Sequence, residues 1–152
     1  MKIAFYKGTH AGLPGVFNRL VRWWTRGPYS HCEAVFDCQN AQGAWLCASS
    51  SKMDGGVRFK FIDLDGSSNW DILDVPSADE AACKAWFVEH VGLKYDVRGL
   101  FGFVWRRAED DRSKYFCSEA LAASIGIEEA WRFDPNTFHA ALPRVAVNGG
   151  AK

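Results

Sequence analysis

Lys114-Tyr115-Phe116-Cys117-Ser118-Glu119-Ala120-Leu121-Ala122-Ala123-Ser124-Ile125-Gly126 predicts a helix with a cysteine in its first turn. Ala120, Leu121, Ala122 and Ala123 are strong helix formers, Glu119 suits the positive end, and Gly126 is a C-terminal stop. Cys117 therefore sits where unpaired backbone N–H groups and the helix macrodipole stabilise a thiolate, the nucleophilic form of cysteine. Position alone also fits a buried structural thiol, since free cysteine is among the most buried residue types. A neighbouring base would separate the two.

Four histidines could supply that base. His10 lies in a glycine-rich loop, His90 near the end of a helix and His139 in a terminal helix, all settings in which histidine is more often structural. His31 opens a strand expected over residues 29–37. There His31, Glu33 and Val35 point one way while Cys32, Ala34 and Phe36 point the other. A carboxylate two residues along a strand shares the histidine's face and can hold the far nitrogen of its ring. A solvated edge pair is the alternative for His31 and Glu33.

Around these two segments the chain alternates short elements. A strand is expected over residues 3–6. An amphipathic helix follows over 14–25, with Val16, Phe17, Leu20, Val21, Trp23 and Trp24 on its apolar stripe and Arg19, Arg22 and Arg26 elsewhere on the wheel. The stripe is expected to pack over the sheet, and a membrane-interface foot built on Trp23-Trp24 is the alternative. Gly27-Pro28 ends that helix. Strands are then expected over 44–50, 57–62 and 70–75, joined by Gly- and Asp-rich turns. Ser77-Ala78-Asp79-Glu80 has the form of a capping box and opens a helix to about residue 90, with Ala82, Trp86, Phe87 and His90 or Val91 on its stripe. Residues 99–105 form an apolar, glycine-punctuated segment and 106–113 a charged loop. A last helix is expected around 137–142, and the tail at 148–150 should fray. Strands first and helices after them predict one α+β domain over residues 1–152, an antiparallel sheet with helices packed on it.

Composition narrows the function. With 152 residues, 48% hydrophobic and 14% aromatic, the chain can bury a core. Lys plus Arg and Asp plus Glu are 18 each, so no net charge points to nucleic acid. Five cysteines at 32, 38, 47, 83 and 117 have neither paired spacing nor a CxxC, so neither a disulfide framework nor a zinc site is expected, and no cofactor. No leader-like or membrane-spanning apolar run is present, so stable membrane insertion is not expected. The expected compartment is the cytoplasm, with export lacking a signal, as in phage or prophage lysis systems, as the alternative.

Gly92-Leu93-Lys94-Tyr95-Asp96-Val97-Arg98-Gly99, followed by Tyr115-Phe116-Cys117-Ser118-Glu119, resembles the G-x-x-Y-x-x-G and aromatic-x-C-S pattern of NlpC-type papain-like cysteine peptidases. In those enzymes the cysteine helix precedes the histidine strand, and here Ser30-His31 comes first. That order resembles the circularly permuted branch, the YiiX/YaeF-type amidases, with lecithin:retinol acyltransferase a distant relative. Gly55-Gly56-Val57-Arg58 is also similar to this branch, and the likeness spans roughly residues 1–126. The resemblance implies a permuted papain-like fold in which Cys117 is the nucleophile, His31 the base and Tyr95 a donor to the oxyanion beside the Cys117 N–H. The third member often lies on the strand after the histidine strand, which here offers Cys47, Ser49 and Ser50. Glu33 is therefore assigned the orienting role, with Ser49 as the fallback. Ser30, Ser49 and Ser118 are candidate substrate contacts. The implied activity is hydrolysis of an amide in a peptide or cell-wall-type substrate. A lipid-directed thioesterase or acyltransferase is the alternative, favoured if Trp23, Trp24, Phe101, Phe103 and Trp105 line an exposed groove, and a non-catalytic binding module is a third.

Overall fold

The computed structural model describes residues 1–97 and 113–143. The expected segment at 99–105, nearly all of the charged loop after it, and the tail at 148–150 lie outside the described residues, as do Phe101, Phe103 and Trp105. Seven strands form one sheet: β1 (Lys2–Tyr6), β2 (His31–Gln39), β3 (Trp45–Ser51), β4 (Gly56–Ile62), β5 (Trp70–Asp74), β6 (Lys94–Tyr95) and β7 (Lys114–Tyr115), in the order β5-β1-β2-β3-β4-β6-β7. Four α-helices are present among the described residues: α1 (Leu13–Thr25), α2 (Glu80–His90), α3 (Cys117–Ser124) and α4 (Pro135–Ala141). The class is α+β.

The sheet is mixed, a correction to the all-antiparallel expectation. β6 and β7 pair in parallel, with Tyr95 opposite Tyr115. Two-residue strands are too short to show a period, so sequence patterning could not reveal them. Their docking needs Gly56: β6 crosses so near that a Cβ there would come within 1.9 Å of the Leu93 carbonyl oxygen.

Alternation along the central strands divides the core. On one face Ile3, Phe5, Cys32, Ala34 and Phe36 pack with Phe87 of α2 and with Cys117, Ala120 and Leu121 of α3. On the other, Ala4, Val35, Cys47 and Leu64 form a smaller cluster with Trp45, Ile62 and Trp70. α3 is almost wholly buried, and its ends are closed as the sequence suggested. Glu119 accepts a hydrogen bond from the Phe116 N–H at 3.2 Å. Gly126, at φ 79°, lets its own N–H reach Ala123 O and the Ile127 N–H reach Ala122 O, a Schellman arrangement.

Two other expectations are corrected. The α2 cap is Asp79, which accepts from the N–H groups of Ala81 and Ala82. Glu80 instead takes the Asp37 N–H at 2.9 Å, so no Ser77 capping box forms. The buried residues of α2 are Cys83 and Phe87. In α1 the buried residues are Gly15, Asn18 and Val21, and half of the expected stripe faces solvent: Val16, Leu20 and Trp23 are 59%, 42% and 70% exposed, as is Leu13 before them at 85%. Polar bonds turn the helix this way. Asn18 donates to Ser30 Oγ at 3.0 Å, and Arg22 donates to the Lys7 and Gly8 carbonyls and to Thr9 Oγ1. No helix among the described residues is long and apolar enough to cross a membrane.

Candidate active site

β2 supplies three neighbours with different duties. His31 Nε2 lies 2.7 Å from Glu33 Oε1, so the shared strand face brings the pair together. Glu33 is 1% exposed, and a carboxylate that deep requires compensating charge. Arg58 of β4 supplies it through a two-pronged contact: Nη1 donates to Oε2 at 2.7 Å and Nη2 to Oε1 at 2.6 Å. The remaining Arg58 donor, Nε, reaches Asp54 at 2.9 Å, and Asp54 also accepts from Lys60 at 3.1 Å.

Strand register explains how β4 reaches across to β2. Ala34 pairs with Ala48 and Val35 with Cys47, while Ser49 pairs with Arg58. Continuing the β2–β3 ladder by one step places Ser49 between Glu33 and Arg58 on one face, and its small side chain leaves the guanidinium a path over β3. Ser49 Oγ itself donates to the Cys32 carbonyl at 2.7 Å, bridging β2 and β3.

Cys117 meets the start of β2 from the N-terminus of α3. Its thiol is held well below the usual range. The largest cause is a hydrogen bond from the Cys32 side chain, and burial opposes it. The hydrogen bond and charge of His31 and the Cys32 backbone then add to the effect. Alternation sends Cys32 to the helix-covered face and His31 with Glu33 to the other, and both Cys32 and His31 favour ionisation of Cys117. With Nε2 engaged by Glu33, Nδ1 is the ring nitrogen left for the thiol.

The rest of the electrostatics agrees. Burial pushes the His31 pKa down, but the Glu33 charge and Cys117 outweigh it and raise it to about 9. Burial likewise opposes ionisation of Glu33, and Arg58, followed by His31, lowers it to about 2. Cys32 is raised far above the ordinary thiol range by burial and by its bond to Cys117, so it is the protonated member of the thiol pair. Thiolate, imidazolium, carboxylate, guanidinium and carboxylate thus alternate in sign from Cys117 through His31, Glu33 and Arg58 to Asp54. In that row each charge faces neighbours of opposite sign.

Tyr95 adjoins the same centre. Burial raises its phenol strongly, and the next cause is the charge of Cys117. Its ring packs with Val21 and Phe116 and stands edge-on to Phe17 at 6.5 Å. The three serines lie elsewhere in the hydrogen-bond pattern. Ser30 accepts from Asn18, Ser49 is spent on Cys32 O, and Ser118 donates to Phe133 O at 2.6 Å. All three are buried, so their hydroxyls hold the scaffold around the reactive residues, and Ser49 does not contact the His31 ring as the fallback orienter would. The other histidines are occupied by packing: His10 stacks on Tyr6, His90 on Trp86, and His139 lies against Phe5 and Tyr29.

Cys117 is fully buried, and the His31 side chain beside it is 19% exposed. A cavity of about 360 Å³ between Met1, Lys2, Asp37, Trp45, Asp74 and Glu80 shares no residue with this centre. Sequence reasoning assigned no role to Arg58 or Cys32. Only the register across β3 signals the first. The second sits beside His31, but alternation marks it as core. The chain matches no family model and no curated protein.

Proposed function

We propose that this protein is a cysteine hydrolase that cleaves an amide, in a peptide or cell-wall-type substrate, through an acyl-enzyme on Cys117. The supporting observation is the row Cys117, His31, Glu33 and Arg58, in which each charge stabilises the next. The Cys117 thiolate attacks the carbonyl carbon, and the imidazolium of His31 gives its proton to the leaving amine as the C–N bond breaks. Neutral His31 then takes a proton from water, the hydroxide adds to the thioester, and the thiolate leaves with release of the acid. Glu33 fixes the imidazole and stabilises its charged form, and Arg58 keeps Glu33 ionised. Tyr95 donates its hydroxyl to the developing oxyanion beside the Cys117 N–H. The histidine strand precedes the cysteine helix, in keeping with a circularly permuted NlpC-like papain fold, and the cytoplasm is the proposed compartment, with phage or prophage origin as the alternative.

The exposed apolar stripe of α1 favours a second version, a thioesterase or acyltransferase acting on lipids, because Phe17 of that helix touches Tyr95. Profiling with peptide, lipid and thioester substrates separates the two, and trapping the acyl-enzyme by intact-mass measurement identifies the nucleophile. Cys117→Ala should abolish both turnover and the acyl adduct. Turnover that survives in Cys117→Ala refutes the proposal.

A further inference from the structure

The solvent-facing side of α1 combines three features. Leu13, Val16, Leu20 and Trp23 form one continuous exposed apolar strip, with Trp24, half-buried, packed beside Trp23 at 6.0 Å between ring centroids. Cations border the strip on both sides. Arg19 and Arg26 are exposed along one flank, and on the other Lys52 Nζ stands 4.3 Å over the ring of Phe17. No carboxylate occurs anywhere in α1, although acidic and basic residues balance over the whole chain. In the β3–β4 turn that carries Lys52, Met53 is also 64% exposed.

We infer that this face of α1 docks the protein on an anionic phospholipid surface. A helix that lies in the plane of a bilayer places aliphatic side chains and tryptophan below the headgroups and basic side chains along both edges, where they meet lipid phosphates. α1 presents that cross-section already folded, and the opposite arc, with Asn18, Val21 and Arg22, is fastened to the domain. Mixed charge would be expected around a strip that met another soluble protein. Among the described residues the charged side chains flanking the helix strip are basic, complementary to anionic lipid, and Asp54 beyond Met53 is engaged by Arg58 and Lys60. An exposed apolar area of this extent is also unusual for a face that meets only water. Docking stands independently of the chemistry at Cys117. If both hold, α1 delivers the Tyr95 side of the site to the membrane surface, because Phe17 bridges the strip and that ring.

Cosedimentation of the full chain with vesicles tests the inference, one set of phosphatidylcholine alone and one of phosphatidylcholine and phosphatidylglycerol in equal parts. The protein should pellet with the anionic vesicles, weakly with the neutral ones, and less as salt rises. Leu20→Glu with Trp23→Glu should cut anionic-vesicle binding by more than about tenfold, and Arg19→Gln and Arg26→Gln by about fivefold each. The fluorescence blue shift on binding should shrink in Trp23→Phe. Circular dichroism of each variant establishes that the fold persists, as expected for exposed positions. The inference fails if the wild type stays in the supernatant with both vesicle types, or if the double variant binds as well as the wild type. It also fails if the wild type forms a dimer in solution that Leu20→Glu with Trp23→Glu abolishes, since a second copy would then cover the strip.

Discussion

At the start of β2 this chain buries charge, and along α1 it exposes hydrocarbon. Glu33 is 1% exposed and meets His31 and Arg58 inside the protein, while Leu13, 85% exposed, and Trp23, 70% exposed, face solvent. Both regions reverse the usual partition, in which a buried charge is costly and exposed apolar area goes unused. The reversals differ in how they are held. The buried charges are fixed by a network in which every buried polar side-chain atom among the described residues has a partner. The apolar strip is held from behind, by the bonds that anchor the other side of its helix. Natural folds keep such inversions where they serve a site, so the first is expected to break badly when altered and the second to tolerate change.

The largest effect should follow from removing the carboxylate. Glu33→Gln leaves the Arg58 guanidinium buried without its ion-pair partner, which typically costs about 3 kcal/mol or more. Acylation should slow as well, because the imidazolium loses a charged neighbour. Urea denaturation and single-turnover kinetics measure the two losses separately. A Glu33→Gln protein as stable as the wild type would show that the network is not what holds this end of β2. Combining Glu33→Gln with Arg58→Met should recover much of the stability but none of the rate, which isolates the chemical part of the role.

Tyr95→Phe comes next. It keeps the ring packed against Phe17 and Val21 and removes only the hydroxyl. Loss of an oxyanion donor costs about a hundred- to a thousand-fold where the donor works fully, and in the proposed mechanism the Cys117 N–H would compensate in part. Acylation should therefore fall by at least about tenfold while the melting temperature hardly moves. Unchanged turnover would make Tyr95 a packing residue.

Stability should also depend on pH in a way that belongs to the first region alone. Glu33, lowered to about 2 from its usual 4.5, contributes stability above that usual value and loses it as pH falls toward 2. His31, raised to about 9 from 6.5, contributes below 6.5 and loses it as pH rises toward 9. The Cys117 thiol, lowered in the folded protein, gains over the same alkaline range and offsets the His31 loss, so the decline expected in urea midpoints across pH is the acid one that belongs to Glu33. In Glu33→Gln the acid decline should shrink, because the carboxylate whose protonation causes it is gone. A decline of equal size in both proteins would place its origin elsewhere.

The smallest change should come from the second region. Val16→Gln should alter stability by less than about 0.5 kcal/mol, since an exposed side chain gives up little packing when replaced. A loss of several kcal/mol would mean that the strip is covered in the folded protein in solution.

These contrasts also separate what patterning can convey from what it cannot. Alternation in β2 places His31 beside Glu33 and Ala34 in the core, and helix formers bounded by Glu119 and Gly126 place Cys117 at a helix start, because those signals are local. Arg58 was out of reach, since its partner is chosen by the register of three strands across Ser49, which no local pattern encodes. Cys32 was read as core by the same alternation that found Glu33, and it is core, but the core there includes the sulfur of Cys117. The α1 stripe was misjudged for a different reason. Periodicity shows that a helix has an apolar side and does not say which side the domain lies on. Asn18 and Arg22 decided that through bonds to Ser30 and the 7–9 loop. β6 and β7 escaped because two residues carry no period.

The central claim, that Cys117 is a thiolate paired with the imidazolium of His31, is tested most directly by ultraviolet thiolate absorbance across pH, taken as the difference between wild type and Cys117→Ser. This measurement needs no reagent to reach the buried sulfur. A thiolate present well below neutral pH in the wild type, absent in Cys117→Ser and shifted to higher pH in both His31→Ala and Cys32→Ala, is the predicted result. Ionisation of Cys117 at or above the ordinary thiol value of about 8.5 would contradict it.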